Sequence, residues 1–165
     1  MAKKAEMWVS AILYTLIALV AMMLILEAGT PIPVRNRTAT RPWQHVLEPL
    51  SGYLWLAAVQ AEPGLRPFGA DAFSSSFNLG PGHDGNRTVA DLVVEILKHW
   101  PGRWEDRSDP SSVHEARLLQ LTTDKAHTLL GWAPVWSFAT GVKETIQWYR
   151  TAAGHRTSEE IRDLT

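Results

Sequence analysis

The chain of 165 residues contains no cysteine, which excludes disulfides, thiolate metal sites and a cysteine nucleophile. It also lacks a charge imbalance. Sixteen Lys and Arg against seventeen Asp and Glu leave a formal net charge of -1, so nothing electrostatic favours nucleic acid. No G-x-G-x-x-G opens a βαβ unit, and no P-loop is present. Gly80-Pro81-Gly82 is the nearest glycine cluster, and its proline makes it a turn rather than a phosphate cradle. His83-Asp84, His99 and His114 are irregularly spaced, with no H-E-x-x-H or H-x-H pattern, so no metal is expected. No nucleophile elbow supports Ser/His/Asp chemistry. There is no internal repeat and no low-complexity tract.

Hydrophobic residues make up 45% and charged residues 20%, which excludes wholesale disorder at a one-domain length. Eight tryptophans, from Trp8 to Trp148, point to packing, since an indole buries a large area and needs one hydrogen-bond partner. Met7 to Leu26 is an uncharged run of twenty residues, bracketed by Lys3, Lys4, Glu6 and Glu27. As a helix it would be roughly 30 Å long, the thickness of a bilayer core. It reads as a membrane or signal-type helix, or as a core helix if protein surrounds it on every side. Lys3-Lys4-Ala5-Glu6 before the run is similar to a pilin-like class III signal. By the positive-inside rule the lysines place the remainder outside the cytoplasm. The chain would then be membrane-associated through residues 7–26, and cytoplasmic if that helix packs in protein instead.

Residues 28–42 read as a linker rich in proline, with Arg35, Arg37 and Arg41 close together. Trp43 to Val46 predicts an edge strand. Leu47, Leu50, Leu54 and Ala58 predict a helix over Leu47 to Ala61, with Pro49 in its first turn. Ser74 to Leu79 predicts a second strand. Thr88-x-x-Asp91 resembles a capping box opening a helix whose apolar face runs from Val89 to Trp100. Arg103 to Asp106 and Leu118 to Leu121 predict short strands. Asp124 to Leu130 predicts a helix closed by Gly131, and Ser137 begins the last one. The fold class is α/β, an α+β-like partial domain preceded by one long hydrophobic helix, with no complete Rossmann sheet. The expected organisation is a hydrophobic helix over 1–27, a linker over 28–42, a lobe over 43–152 and a polar tail over 153–165.

Several segments fall in a fixed order. They are Gly29-Thr30-Pro31-Ile32-Pro33-Val34-Arg35-Asn36, then Thr40-Arg41-Pro42-Trp43-Gln44-His45-Val46 with Leu47-Glu48-Pro49-Leu50-Ser51-Gly52-Tyr53-Leu54. Phe77-Asn78-Leu79-Gly80-Pro81, Asn86-Arg87-Thr88-Val89 and His114-Glu115-Ala116 follow. Leu129-Leu130-Gly131-Trp132-x-Pro134 and Glu144-Thr145-x-x-Trp148-Tyr149 close the series. Over about residues 28–152 this pattern resembles the substrate-binding part of the CDP-glucose 4,6-dehydratases. These are extended short-chain dehydrogenase/reductases of the NAD-dependent epimerase/dehydratase family.

The resemblance implies a lyase that converts CDP-glucose to CDP-4-dehydro-6-deoxyglucose and water, with NAD held by a Rossmann half. That half carries the glycine fingerprint and a tyrosine-x-x-x-lysine pair. Neither is in this chain: Tyr14, Tyr53 and Tyr149 are followed four residues later by alanine. The expectation is a truncated, nucleotide-sugar-binding lobe that is inactive alone, with no cofactor site and no catalytic residue of its own. The alternative is a membrane-anchored or pilin-like assembly protein carrying an inactive lobe.

By the same resemblance Arg41 contacts the diphosphate, Arg35 lies near the substrate, and His114 and Asn86 lie near the phosphates. For each there is a plainer reading: a solvated cation for the arginines, an exposed loop residue for His114, a turn former for Asn86. Expected partners are CDP-glucose or a related nucleotide sugar, a membrane, and either a Rossmann-domain protein or a second copy. Nucleic acid is not among them.

Overall fold

In the computed structural model of the chain, the described residues are 22, 24–62, 64, 68–108 and 119–162, the last eleven by backbone alone. Residues 24–27 are helical, and Gly29, at φ 66°, turns the chain out of that helix into β1 (Ile32–Val34). A second strand, β2 (Thr40–Pro42), leads into α1 (Leu47–Ala61) and the single turn α2 (Ala70–Phe73). A 3-10 turn at His83–Gly85 delivers β3 (Asn86–Thr88), which passes directly into α3 (Val89–His99). Then come β4 (Trp104–Asp106), α4 (Asp124–Leu130) and α5 (Phe138–Arg162). The strands form two separate pairs. β1 runs parallel to β4 with Ile32 opposite Trp104, and β2 runs antiparallel to β3 with Arg41 opposite Arg87.

Two apolar clusters hold these pieces. In the first, Val93 and Ile96 of α3 and Ile146 of α5 have no exposed surface, and they meet Ile32, Val34 and Leu26. Burying each such side chain contributes about 1.5–3 kcal/mol, so α3 and α5 anchor the β1–β4 pair. Leu26, at 4% exposed, belongs to this cluster, and Met22 and Ile25 pack against it. The end of the apolar run is therefore part of the lobe's core. The rest of the predicted long helix lies outside the described residues. Among those that are described, no helix is long and apolar enough to cross a membrane. The second cluster joins Val59 of α1 to Phe73, Leu79, Ala126, Leu130 and Trp132.

α3 begins where its sequence predicts. Thr88 Oγ1 accepts from the Asp91 N–H at 3.1 Å, and the Asp91 carboxylate accepts from the Thr88 N–H at 3.0 Å. Those hydrogen bonds from the Thr88 side chain and backbone hold the Asp91 carboxyl below its ordinary value. Thr88→Ala is expected to cost about 1 kcal/mol, measured by urea unfolding at neutral pH. The Asp91 contribution has a definite sign. It is present above the unfolded carboxyl pKa of about 3.9 and is lost as pH falls through the lower folded value. The difference between wild type and variant should therefore shrink in acid.

Three expected strands are absent. Trp43 to Val46 is not a strand, because β2 ends at Pro42 and the following side chains cross-link loops instead. Ser74 to Leu79 is irregular, with Leu79 used for the second cluster. Of Leu118 to Leu121, the described residues 119–121 are irregular as well. β3, in contrast, has no alternating pattern to announce it. At three residues it is too short for a period of two to register.

Candidate functional site

The residues after β2 fasten the loops around one concavity. The Trp43 N–H donates to the Gly85 carbonyl at 2.9 Å, and its indole Nε1 donates to the Arg87 carbonyl at 3.0 Å. Gln44 Nε2 donates to the Leu79 carbonyl at 2.8 Å. Asn78 Nδ2 donates to the Thr122 carbonyl at 3.0 Å and so fixes the loop entering α4. Between these loops lies a concavity of about 210 Å³, walled by Pro81, Gly82, His83 and Asn86 on one side and by Gln120 to Asp124 on the other. That volume is below the roughly 300–1,000 Å³ of sites for larger ligands, so it has room for one ring.

The lining is polar and carries one carboxylate, Asp124. Asn86 lines it, and its Oδ1, closed to solvent, has no hydrogen-bond partner among the described residues. A buried amide oxygen left unpaired costs about 1–3 kcal/mol. With Asp124 also an acceptor, the concavity suits a neutral ring bearing N–H or O–H groups and disfavours a phosphate.

Of the four residues singled out in the sequence, the structure brings Asn86 into this wall. Arg41 is half-buried on the adjacent strand, one register step from the Pro42–Asn86 pair. Its Nη1 donates to the Thr40 carbonyl at 2.9 Å, and that carbonyl also accepts the Leu119 N–H at 3.2 Å. The guanidinium thus sits beside the loop that reaches the cavity without forming its wall. Arg35 is exposed on the turn after β1 and does not line the cavity. His114 lies outside the described residues. Gln120, Thr122, Thr123 and Asp124 were not visible as site residues in the sequence, because an irregular loop leaves no periodic signal.

Glu48 is the buried charge of this region, at 6% exposed. Its two oxygens accept the N–H groups of Val135 and Trp136 at 3.0 and 2.7 Å, across 87 and 88 residues of chain. Ser51 and Trp55 add bonds from α1 to Trp132 and to the Leu130 carbonyl. Two of the quoted motifs, Leu47-Glu48-Pro49 and Gly131-Trp132-x-Pro134, therefore hold each other in place. His45 stands edge-on to Trp136 with ring centroids 4.8 Å apart, and its Nδ1 accepts the Leu47 N–H at 3.2 Å. Burial holds this imidazole below its ordinary pKa, against the pull of Glu144 and Glu48 upward.

A nicotinamide dinucleotide does not fit what is described. Gly80 to Gly85 has glycines at the spacing of a dinucleotide fingerprint, but it leads into a 3-10 turn and a strand rather than a helix. Its glycine space is already filled: a Cβ at Gly80 would lie 2.9 Å from Leu121, and one at Gly85 2.3 Å from Pro81. Among the described residues no three His, Cys, Asp or Glu side chains are grouped to hold a metal.

Compared with known proteins, the chain is 33% identical over 128 residues to a CDP-glucose 4,6-dehydratase of Salmonella typhimurium (strain LT2). The match takes in 75% of this chain and 33% of that enzyme, so the chain spans about a third of its curated relative. Among solved structures it resembles the UDP-N-acetylglucosamine 4-epimerase of Bacillus cereus, with a TM-score of 0.60 and 17% identity. That superposition covers 81% of this chain and 42% of the epimerase. The RMD of Pseudomonas aeruginosa, solved with NADPH, also gives a TM-score of 0.60, at 15% identity over 79% of this chain and 40% of that one. No protein-family model matches the chain. The chain is thus a mixed α/β partial domain, distantly homologous over most of its length to a sugar-nucleotide dehydratase. The two solved structures support the fold alone.

Proposed function

We propose that this lobe binds a nucleotide sugar of the CDP-glucose class and does not turn it over by itself. The observation that carries the reading is Asn86 in the wall of a ring-sized polar concavity, with a side-chain oxygen that no described residue pairs. A ring amine or sugar hydroxyl donates to it once the Asn86 amide turns into the concavity, with Gln120 and the threonines of the opposite loop completing the contacts. The diphosphate stays outside the cavity, away from Asp124 and toward Arg41, whose guanidinium fork suits phosphate oxygens. Arg35 and His114 enter the proposal on the sequence resemblance alone. The distant homology to a CDP-glucose 4,6-dehydratase favours the cytidine nucleotide.

No group in the described site can take a hydride, and the chain has no tyrosine-x-x-x-lysine pair to move a proton in the family's manner. Binding is therefore the function within its reach. Calorimetric titration with CDP-glucose, UDP-glucose and CMP tests it. Saturable binding below millimolar CDP-glucose, tighter than UDP-glucose, is expected, and Asn86→Ala should weaken it about tenfold, or 1.4 kcal/mol. No saturation below millimolar ligand would sink the proposal.

A further inference from the structure

Two arginines meet across the β2–β3 ribbon, where the antiparallel register sets Arg41 directly opposite Arg87. Residues paired in this way present their side chains on one face, with Cβ atoms about 5 Å apart. Like charges so placed destabilise a strand pair, and an anion between them reverses the sign. Arg41 is half-buried and Arg87 exposed. The pleat turns the pair away from Asn86, one residue along, so it stands outside the concavity that Asp124 closes to phosphate.

Arg87 is held in place by bonds that leave its fork open. Its Nε donates to the Asp84 carbonyl at 2.8 Å, and its guanidinium lies 5.9 Å over the Phe138 ring. Among the described residues both terminal nitrogens are left over, the pair of donors that grips phosphate oxygens two at a time. Arg41 is steadied in turn by the bond from Nη1 to the Thr40 carbonyl at 2.9 Å. The carboxylates nearby are engaged elsewhere. Asp91, close enough to feel the charge of Arg87, accepts the Thr88 N–H and hydroxyl at 3.0 and 2.7 Å. Asp84 Oδ2 accepts the Phe138 N–H at 2.9 Å. Among the described residues no carboxylate forms an ion pair with Arg87.

We propose that Arg87 joins Arg41 across the ribbon in one site for a diphosphate, each guanidinium taking the oxygens of one phosphoryl group. Two guanidinia in register match two linked phosphoryl groups, whereas a single phosphate satisfies one of them. That a nucleotide sugar brings the diphosphate rests on the ligand reading above; the arginine pair does not.

The full chain in mild detergent is titrated calorimetrically with inorganic pyrophosphate, inorganic phosphate and CDP-glucose. Pyrophosphate is expected to bind about tenfold tighter than phosphate and to compete with CDP-glucose. Arg87→Gln should weaken pyrophosphate and CDP-glucose by about tenfold each and bring pyrophosphate to within roughly threefold of phosphate. Arg87→Lys should recover part of the loss, since it restores the charge without the fork. Arg103→Gln removes an exposed cation beside the other strand pair and should change each affinity by less than about twofold. Circular dichroism and Tm of both Arg87 variants should match wild type. An Arg87 that merely shapes the Asp84 turn would weaken CDP-glucose and leave the pyrophosphate-to-phosphate ratio as in wild type, which overturns the proposal. So does pyrophosphate that fails to bind, or that Arg87→Gln weakens no more than Arg103→Gln does. CDP-glucose that binds without competition from pyrophosphate overturns the proposal and leaves the ligand reading standing. Pyrophosphate bound through Arg87 while CDP-glucose does not bind supports the site and overturns the ligand reading instead.

Discussion

Glu48→Ala is expected to cost about 2–3 kcal/mol, because it leaves the Val135 and Trp136 N–H groups without their charged acceptor. Glu48 itself is only 6% exposed, so water fills its place poorly even though the Val135 side chain is open to solvent. The effect spreads beyond one contact. Glu48 sits in the first turn of α1, and the two N–H groups belong to the loop that leads into α5. Losing the clamp detaches the second apolar cluster from the first. By urea unfolding the midpoint should fall without a change of slope, and Tm should drop by roughly 4–12 °C. Glu48→Gln keeps one carbonyl oxygen and can satisfy one N–H, so it should cost less than half as much. Equal stability of Glu48→Ala and wild type would show that these bonds are not maintained in solution.

Gly85→Ala is the second large effect, at about 2–3 kcal/mol, and it should remove ligand binding as well. An added Cβ would lie 2.3 Å from Pro81 Cβ and 2.8 Å from the Trp43 carbonyl oxygen. Neither is the end of a flexible side chain, so backbone must move. The movement displaces the Trp43 N–H bond to the Gly85 carbonyl and shifts Pro81, which lines the concavity. Gly82→Ala makes the matching control. Its Cβ would meet only the Asp84 carboxylate oxygen, at 3.3 Å, so less than 1 kcal/mol is expected by the same reasoning. Thermal unfolding and a CDP-glucose titration of both variants separate a local steric effect from general fragility.

These two residues mark what the sequence shows and what it hides. Apart from the single turn α2, the helices were legible because their signals are local: the Thr88–Asp91 capping box, Pro49 in the first turn of α1, and Gly131 at φ 61° closing α4. Of the strands, β4 alone was read, from Arg103 to Asp106. Each is three residues long, and aromatic stretches such as Trp43 to His45 serve as fasteners between loops rather than as a ladder. Periodicity gave α1 an apolar face correctly but could not say what that face meets. Leu47, Leu50 and Leu54 look like core in a sequence, yet they are exposed. Glu48 stood in plain view inside a quoted motif. Its partners lie 87 and 88 residues away, and no pattern within a window reports such a contact. The cavity was half legible: Asn86 came from the family resemblance, whereas the Gln120 to Asp124 wall exists only once Asn78 has fixed that loop.

The central claim, that a nucleotide sugar seats its ring against Asn86, is tested most directly by nitrogen-15 NMR during a CDP-glucose titration. The account predicts saturable shifts of the Asn86 side-chain amide and of the Gln120 to Asp124 backbone amides, with the Arg41 side chain following. Shifts that avoid Asn86 and this loop, or none up to millimolar ligand, would contradict it.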